Sequence, residues 1–450
     1  MTTFGGSSTR RSFIRGAGKT AAVVAAAAKF APSTYAASDQ TIRLSLIGCG
    51  PRGTGAVGNA LNVKGGHVEL YAMADLYDKK MDIAQRALEK RYPDGVHVSD
   101  NHKFTGFDAY KKAIDVLSPG DVALCTTRAY IRPVHVAYAV SKGINVFMEK
   151  PFSPDPAGLK RLLKAGEEAD KKGVKVAAGL QCRHSPARAA LIERIKTGVM
   201  GDISYIRANR LGRSGPLGNM GDKANSLEHQ LMFGKFNLLW VGSGRMIDHL
   251  IHQIDECCWL MGGWPVSCHG MGGKAIGIDD HGQNMDTYSM EFTWADGRKA
   301  MCGFRSISRS HDEFATFVHG TKAAAQFSGN GHKATVHQFK DQRIGNDNIA
   351  WTPTDDAMNP WDYEWVDFID AIRNNKPYNE THRAVQSDYA SLMGRAAAHL
   401  NRIVTWDEVT GSNFAFCDAP ENLSFDSKPP AIADENGYFP APVAGKWTEL

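Results

Sequence analysis

The chain has 450 residues, with 52 lysines and arginines against 48 aspartates and glutamates, for a formal net charge of +4. Residues 1–36 hold five basic residues and no acidic one, so subtracting these five charges from +4 leaves −1 for the remainder. A nearly neutral chain excludes a broad basic surface for nucleic acid or anionic membranes, and its length allows two or three domains. The eight cysteines show no CxxC spacing, so we predict neither a zinc site nor a disulfide framework.

The first 36 residues resemble a twin-arginine export leader. Arg10-Arg11 is followed by Phe13 and by a weakly apolar, alanine-rich run from Ala21 to Ala28. This run is too short and too weak to span a bilayer, and small residues before position 37 suit cleavage after Ala36. We therefore predict a leader over residues 1–36, recognition by the twin-arginine export machinery, a periplasmic or otherwise exported protein, and no membrane span after cleavage.

A buried-strand pattern over residues 42–48 leads directly into a glycine-rich turn, Gly48-Cys49-Gly50-Pro51-Arg52-Gly53. The first glycine permits a tight turn, the second lets the backbone approach a pyrophosphate, and the third allows close packing of helix on strand. A second strand ends at Asp75, 22 residues after Gly53, where a carboxylate binds the ribose hydroxyls of a dinucleotide. No arginine stands directly beside Asp75, which favours NAD, with NADP as the alternative.

Two further predicted strands, residues 121–126 and 143–148, also end at polar side chains. Thr126 and Thr127 stand at the end of the first, and Glu149-Lys150 follows the second. In doubly wound sheets, ligands bind at the carboxyl ends of the strands. We therefore predict a Rossmann domain over residues 41–160, with these four side chains on the nicotinamide side of the cofactor.

Residues 161–409 predict a second, α+β domain. The alternating stretches 286–294 and 299–305 predict antiparallel strands joined by a turn at Ala295-Asp296-Gly297. Apolar residues at helical spacing predict a helix over residues 361–377. We expect an open, mostly antiparallel sheet with helices on one face, and a surface-wrapping tail over residues 410–450.

The segment 244–255 places Asp248 and His252 four residues apart, on one face of a predicted helix. A carboxylate beside an imidazole sets its tautomer and raises its pKa, so the imidazole can move a proton near neutral pH. Two alternatives stay open: His249 and His252 with Asp248 as metal ligands, or both histidines as structural residues. Our prediction is a site without a metal. Arg183 is equally consistent with a substrate contact and with a structural ion pair.

These motifs together resemble the Gfo/Idh/MocA family, which includes glucose–fructose oxidoreductase and inositol dehydrogenase. The resemblance covers nearly all of residues 41–409 and is most specific at Glu149-Lys150-Pro151 and at Asp248-x-x-x-His252. It implies that Lys150 reaches the reacting hydroxyl of a sugar or cyclitol from one side, with Asp248 and His252 on the other. It also implies a homo-oligomer, dimer or tetramer, formed through a free face of the antiparallel sheet. In one departure from the family, Thr127 replaces a common proline and Ile131 a common histidine.

The function expected from these motifs is an exported, NAD(P)-dependent oxidoreductase that removes a hydride from a ring hydroxyl of a sugar, glycoside or cyclitol. Export implies a tightly bound cofactor, because no soluble NAD pool is available outside the cytosol. One alternative is a redox-cycling glycosidase resembling glycoside hydrolase family 109, which regenerates its cofactor in every turnover but usually lacks the lysine found here at position 150. The other is a non-enzymatic, cofactor-stabilised binding protein, against which the intact set Lys150, Asp248 and His252 argues.

Overall fold

A computed structural model describes residues 40–212, 216–275, 280–329 and 334–450. The predicted export leader, residues 1–36, lies outside these ranges. Within them, no helix combines the length and the apolar character that a membrane crossing requires.

The first half of the chain forms a six-stranded parallel sheet in the order β3-β2-β1-β4-β5-β6. Its strands are β1 (Ile42–Ile47), β2 (Val68–Asp75), β3 (Lys103–Thr105), β4 (Val122–Cys125), β5 (Asn145–Met148) and β6 (Val176–Ala178). The strand order reverses between β1 and β4, which opens a crevice at their carboxyl ends. This confirms the predicted doubly wound sheet. Its sixth strand lies beyond residue 160, so the sheet continues into the range predicted for the second domain.

The helices that connect these strands begin where the sequence favours a first turn. They are α1 (Pro51–Leu61), α2 (Asp78–Arg91), α3 (Ala109–Asp115), α4 (Arg132–Ser141) and α5 (Pro156–Lys172). Proline occupies the first turn of α1, α4 and α5, where its missing N–H costs no hydrogen bond. Asp155 caps α5 by accepting a hydrogen bond from the N–H of Gly158 at 2.9 Å.

A nine-stranded sheet follows, in the order β14-β13-β12-β11-β7-β10-β9-β8-β15. Its strands are β7 (Ile203–Gly212), β8 (Ser267–Gly273), β9 (Thr287–Thr293), β10 (Lys299–Ser306), β11 (Glu313–Gly320), β12 (Ala324–Ser328), β13 (His337–Phe339), β14 (Ile349–Trp351) and β15 (Val404–Thr405). Neighbouring strands are antiparallel except β7 and β10. The predicted hairpin is confirmed, since β9 pairs with β10 across a turn in which Gly297 has φ +87°.

The remaining helices are α6 (Pro186–Lys196), α7 (Leu227–Phe233), α8 (Leu239–Gly242), α9 (Gly244–Met261), α10 (Pro360–Arg373), α11 (Thr381–Leu400) and α12 (Trp406–Gly411). Helices α9 and α11 pack against each other and against the nine-stranded sheet, and both are buried along most of their length. Residues that α9 presents toward the parallel sheet are therefore held in a rigid core.

Helix α10 returns to the parallel sheet. Trp365 stacks on Phe147 of β5 with ring centroids 4.4 Å apart, and Phe368 packs edge-on against the same ring. These side chains share one apolar core with strands of the first sheet. The chain therefore completes the nucleotide-binding half with a segment more than 200 residues downstream.

The tail, residues 410–450, has one exposed part and one buried part. After α12, the chain forms one short 3-10 turn at Pro420–Asn422 and continues without regular structure. Phe425 packs against Tyr77 and Phe107 at the edge of the parallel sheet, whereas Glu449 is only 1% exposed. The predicted tail thus covers surface along part of its length and inserts its end into the core.

Candidate active site

The glycine-rich turn has no room for a side chain at two of its glycines but has room for one at a third. Gly48 has φ +100°, and a Cβ there would lie 2.8 Å from the backbone nitrogen of Thr127. A Cβ on Gly53 would lie 2.4 Å from the carbonyl oxygen of Gly48, whereas one on Gly50 would meet nothing within 4 Å. Gly50 precedes the first turn of α1, which has no side-chain cap. Open space in front of uncapped helix N–H groups fits the pyrophosphate of a dinucleotide.

Asp75 is tied to this turn. Its Oδ2 accepts a hydrogen bond from the N–H of Cys49 at 2.8 Å, and its Oδ1 accepts one from the N–H of Tyr77 at 3.1 Å. A cavity of about 670 Å³, here called the nucleotide cleft, lies beside these residues. The predicted cofactor residues that line it are Gly48, Gly50, Pro51, Asp75, Thr126 and Thr127. Its volume falls within the range of ligand pockets, so the cleft fits a nucleotide.

The loop after β4 is fastened to the turn and to α4. Thr126 Oγ1 donates to the carbonyl of Gly48 at 2.6 Å, and Thr127 Oγ1 lies 3.1 Å from Nδ1 of His135. Arg132 donates to the carbonyls of Thr127 and Pro151. Burial and then Arg132 lower the pKa of His135 to about 3, so its ring is neutral. Thus α4 supplies a histidine at position 135, although Ile131 occupies the position at which the family commonly has one.

Lys150 and Asp248 meet where the two sheets face each other. Lys150 Nζ lies 3.5 Å from Asp248 Oδ2 and also donates to the backbone carbonyl of Asp248. Burial would raise the pKa of Asp248, but Lys150 and Lys235 outweigh it and hold this pKa at about 2. Asp248 is therefore a carboxylate at neutral pH, and the structure brings together these two members of the predicted catalytic set.

The two histidines of α9 occupy different environments. His249 has a side chain 25% exposed, with Nε2 3.8 Å from Asp248 Oδ2 and Nδ1 3.0 Å from the carbonyl oxygen of Arg245. Because a carbonyl only accepts, Nδ1 carries the proton and Nε2 is the acceptor. Burial lowers the pKa of His249 to about 4 despite Asp248, so its ring is neutral. His252 is 2% exposed, neither histidine lines the cavity in front of Lys150 and Asp248, and the catalytic role of His252 stays a prediction.

A smaller cavity, the lysine cavity, adjoins the nucleotide cleft in front of Lys150 and Asp248. It holds about 70 Å³, room for one small group, so a sugar ring would extend out of it. It shares Gly50, Thr127 and other residues with the nucleotide cleft, so the two cavities are adjacent. A hydroxyl placed beside Lys150 would therefore lie next to the reactive end of a nucleotide bound in the cleft.

Arg52 and Glu149 form an ion pair at the wall of the lysine cavity. Arg52 Nε lies 2.5 Å from Glu149 Oε1, and Arg52 Nη2 lies 3.8 Å from Oε1 of Glu364 on α10. Burial, and then the charge of Glu149, raise the pKa of Glu364. The shift favours the neutral form of Glu364, and Glu149 is the nearer partner of Arg52. Sequence reasoning missed Glu364, whose partner is more than 300 residues away and gives no local signal.

Arg183 makes an ion pair. Its guanidinium donates to both carboxylate oxygens of Asp255, at 2.8 and 2.9 Å, and lies over the ring of Trp259. Ser387 donates to the same carboxylate at 2.6 Å. The geometry is that of the structural alternative, and a substrate contact by Arg183 stays a prediction.

Helix α11 ties the segment after Lys150 to the start of α9. Asp388 Oδ2 accepts hydrogen bonds from the N–H groups of Phe152 and Ser153, at 2.8 and 3.0 Å. Arg395 donates to the carbonyls of Pro154 and Ser243, at 2.9 and 3.2 Å. Glu449 Oε2 lies 3.3 Å from Nε of Arg395. Arg395 thus helps to fix the position of Lys150 relative to Asp248. Glu449 balances the charge of this buried arginine.

In the four described ranges, no group of three His, Cys, Asp or Glu side chains is arranged to hold a metal ion. The set of Asp248, His249 and His252, considered above as metal ligands, therefore has no such geometry.

The fold and the cleft define a Rossmann nucleotide-binding protein with a second, mostly antiparallel sheet. Residues 189–326 match the GFO/IDH/MocA C-terminal domain. Among curated proteins, the chain is 22% identical over 343 residues to the rhizopine catabolism protein MocA of Rhizobium meliloti, covering 75% of this chain and 89% of that protein. It is 24% identical over 223 residues to inositol 2-dehydrogenase/D-chiro-inositol 3-dehydrogenase of Lacticaseibacillus casei, covering 49% of this chain but only 53% of that enzyme. The chain thus aligns with about half the length of this dehydrogenase.

Solved structures share the whole architecture at low sequence identity. Scyllo-inositol dehydrogenase from Lactobacillus casei, with bound NAD(H) and scyllo-inositol, superposes with a TM-score of 0.61 at 19% identity, covering 82% of this chain and 99% of that one. Aldose-aldose oxidoreductase from Caulobacter crescentus gives 0.63 at 15% identity, covering 81% and 100%. The WlbA dehydrogenase from Bordetella pertussis, in complex with NADH and UDP-GlcNAcA, gives 0.61 at 18% identity, covering 81% and 99%. The domain match and the superpositions show that the chain shares the fold of these oxidoreductases.

Proposed function

We propose that the protein is an NAD(P)-dependent oxidoreductase that removes a hydride from a ring hydroxyl of a sugar, glycoside or cyclitol. The observation that carries this proposal is the Lys150–Asp248 pair, which lines the lysine cavity beside the nucleotide cleft. A nicotinamide cofactor bound in the cleft would accept the hydride. The relatives named as inositol dehydrogenases support the same chemistry.

The protein's own contribution is to bind the hydroxyl and to remove its proton. The ammonium of Lys150 holds the hydroxyl oxygen and stabilises the negative charge that develops on it as the C–H bond breaks. Asp248 stays anionic and orients the side chain of Lys150. The hydroxyl proton passes to a histidine of α9: His252 is the predicted base, and His249 is a second candidate because its neutral Nε2 is an acceptor beside Asp248.

The proposed cofactor site runs along the carboxyl ends of β1, β2, β4 and β5. Its residues are Gly48, Gly50, Pro51, Arg52, Gly53, Asp75, Thr126, Thr127, Glu149 and Lys150. Asp75 favours NAD, since a carboxylate repels a 2′-phosphate. Lys80 and Arg128 also line the cleft and could neutralise such a phosphate, so NADP is the second candidate.

We further propose that the protein is exported and keeps its cofactor. The leader pattern of residues 1–36 supports export. Two contacts over the cleft support retention: the hydroxyl of Tyr77 donates to the carbonyl of Glu228 in α7 at 3.3 Å, and Phe425 of the tail packs on Tyr77. These contacts cover the edge of the cleft where the adenosine would lie, so they would slow cofactor release.

A retained cofactor must be regenerated in place, and this favours a redox-cycling glycosidase resembling glycoside hydrolase family 109 as the second candidate function. Lys150 distinguishes the two, because that family usually lacks this lysine. We also propose a homo-oligomer, a dimer or tetramer formed through the free face of the nine-stranded sheet. Its mass in solution, measured by light scattering, tests this directly.

The experiment for the main proposal uses the mature protein and a panel of sugars, glycosides and cyclitols, with and without added NAD. Both the absorbance of reduced nicotinamide and the release of aglycone are followed. Reduction that stops after one equivalent and resumes with an added acceptor is the expected result. Aglycone release over many turnovers without net reduction would instead establish the glycosidase. An empty cleft and no reduction with any compound would contradict both.

A further inference from the structure

The lysine cavity carries more positive charge than its carboxylates balance. Five cationic side chains and two carboxylates line it: Arg52, Arg128, Arg132, Lys150 and Lys235 against Glu149 and Asp248. Arg52 pairs with Glu149, Lys150 pairs with Asp248, and Arg132 is bound to two backbone carbonyls. In the described part of the chain, Arg128 and Lys235 are therefore the two cations of this cavity with neither a carboxylate nor a carbonyl directly bound.

Lys235 is the cation that the cofactor does not account for. Arg128 lines both the nucleotide cleft and the lysine cavity, so a dinucleotide pyrophosphate is within its range, whereas Lys235 lines only the lysine cavity. Lys235 is half-buried, and within the described ranges it forms no ion pair or side-chain hydrogen bond. Its ammonium lies over the ring of Phe236, 4.4 Å from the centroid.

The environment of Lys235 also disfavours its positive charge. Burial lowers the pKa of Lys235, and the neighbouring charges of Lys150 and Arg128 act in the same direction, against Asp248. A half-buried ammonium without a directly bonded anion is costly in free energy, and a ligand anion would relieve that cost.

The loop that carries Lys235 is built to hold it in place. A Cβ on Gly242 would lie 2.0 Å from the carbonyl oxygen of Lys235, so the backbone of Lys235 packs directly on the last residue of α8. The side-chain amide of Asn284 donates to the carbonyl of Phe236, and the N–H of Gly234 donates to the carbonyl of Gln230. Lys235 is therefore presented by a fixed backbone, as a binding residue requires.

We propose that the substrate carries an anionic group, a carboxylate or a phosphate, close to the reacting hydroxyl, and that Lys235 binds this group. The proposal rests on the proposed function, because it places the reacting hydroxyl at Lys150. A sugar acid or a sugar phosphate would set its anion against Lys235 and its hydroxyl against Lys150. A neutral hexose or cyclitol would leave the ammonium of Lys235 in the cavity with no anion to meet it.

The test compares matched substrates that differ only in charge: methyl glucuronide against methyl glucoside, and glucose 6-phosphate against glucose. The mature holoenzyme, Lys235→Gln, Lys235→Arg and the surface control Lys164→Gln are assayed for kcat/KM with each. We expect the holoenzyme to prefer one anionic partner by at least about 10-fold, and Lys235→Gln to reduce that preference roughly 10- to 100-fold. Lys235→Arg should retain most of it, and Lys164→Gln should retain all of it. Whichever pair shows the larger preference identifies the anion as carboxylate or phosphate.

Binding without turnover provides a second measurement. The anionic compounds should raise the thermal midpoint of the holoenzyme, and Lys235→Gln should abolish that rise. The inference is overturned if neutral partners are oxidised as well as or better than anionic ones, or if Lys235→Gln leaves both the preference and the thermal shift intact. In those cases oxidation of the neutral partner still supports the proposed function. Failure of the proposed function has a different signature, namely no bound nicotinamide and no reduction with any compound.

Discussion

The two ends of the cavity system are built in different ways. The nucleotide end is made from backbone over short distances: Gly48 and Gly53 leave no room for a Cβ, and Asp75 accepts hydrogen bonds from the same turn. The substrate end is made from charged side chains that arrive from distant segments, with Lys150 beside Asp248 and both supported by Arg395. The first end depends on the shape of one loop, whereas the second depends on the packing of the whole fold.

The largest expected effect comes from removing the support of the substrate end. Arg395→Met leaves Glu449 buried with only His399 and Trp447 as partners, each 3.0 Å from its Oε2, and breaking a buried ion pair costs about 3–5 kcal/mol. Chemical denaturation should show that loss of unfolding free energy. The exposed pair of Arg343 and Asp341 provides the control, since Arg343→Met should leave the unfolding free energy close to that of the parent. Equal losses in the two variants would show that the buried arginine is not a special support.

A second substitution removes a side chain from the proposed reaction centre and leaves the nucleotide end unchanged. Lys150→Met removes the cation that stabilises the developing alkoxide, so kcat should fall by about 10²- to 10³-fold. Bound nicotinamide, measured by mass spectrometry after denaturation, should persist at a substantial level because Gly48, Gly53 and Asp75 are unchanged. Activity within tenfold of the parent would remove Lys150 from the mechanism.

Two alanine substitutions distinguish the glycine that the fold requires from the glycine that leaves room for the ligand at the nucleotide end. Gly53→Ala forces a Cβ against the carbonyl of Gly48 and should cost about 1–3 kcal/mol of stability. Gly50→Ala meets nothing in the protein, so its cofactor-free form should melt near the cofactor-free parent, while the nicotinamide content of the purified variant falls. Full nicotinamide content in Gly50→Ala would place the pyrophosphate elsewhere.

The smallest effect is a pH dependence at the substrate end. Burial raises the pKa of Asp388 to about 7, although the N–H groups of Ser153 and Phe152 oppose it. Since its folded pKa is raised, its contribution to stability is complete below the unfolded value near 4 and is lost as pH rises through 7. Relative to Asp388→Asn, the parent should lose unfolding free energy as the pH rises over that window. The exposed control Asp94→Asn should track the parent, and parallel curves for all three proteins would refute the assignment.

The same difference explains what the sequence could and could not predict. The turn from Gly48 to Gly53, Asp75 and the hairpin at Gly297 are encoded within short stretches, so their pattern predicted their place in the fold. Lys235, Glu364 and Glu449 gave no such signal, because each acquires its role only when distant segments pack together. Arg183 showed the limit in another form, since only the fold brings it against Asp255.

The loop after β4 gives a further example. The absence of a histidine at Ile131 was visible in the sequence, but its consequence was not. The structure places His135, four residues later on α4, against Thr127, and Arg132 fastens the same loop through backbone carbonyls. A motif match compares residues at equal positions in the sequence. In the fold, a histidine one helical turn away from position 131 contacts Thr127.

The most direct test of the proposed hydride transfer is an isotope experiment on the mature holoenzyme. A substrate deuterated at the carbon that bears the reacting hydroxyl is incubated with the protein, and the nicotinamide is then released and weighed by mass spectrometry. We expect one deuterium on the reduced nicotinamide of the parent protein and almost none in Lys150→Met. Substrate turnover by the parent that leaves the nicotinamide without deuterium would contradict direct hydride transfer at the junction of the two cavities.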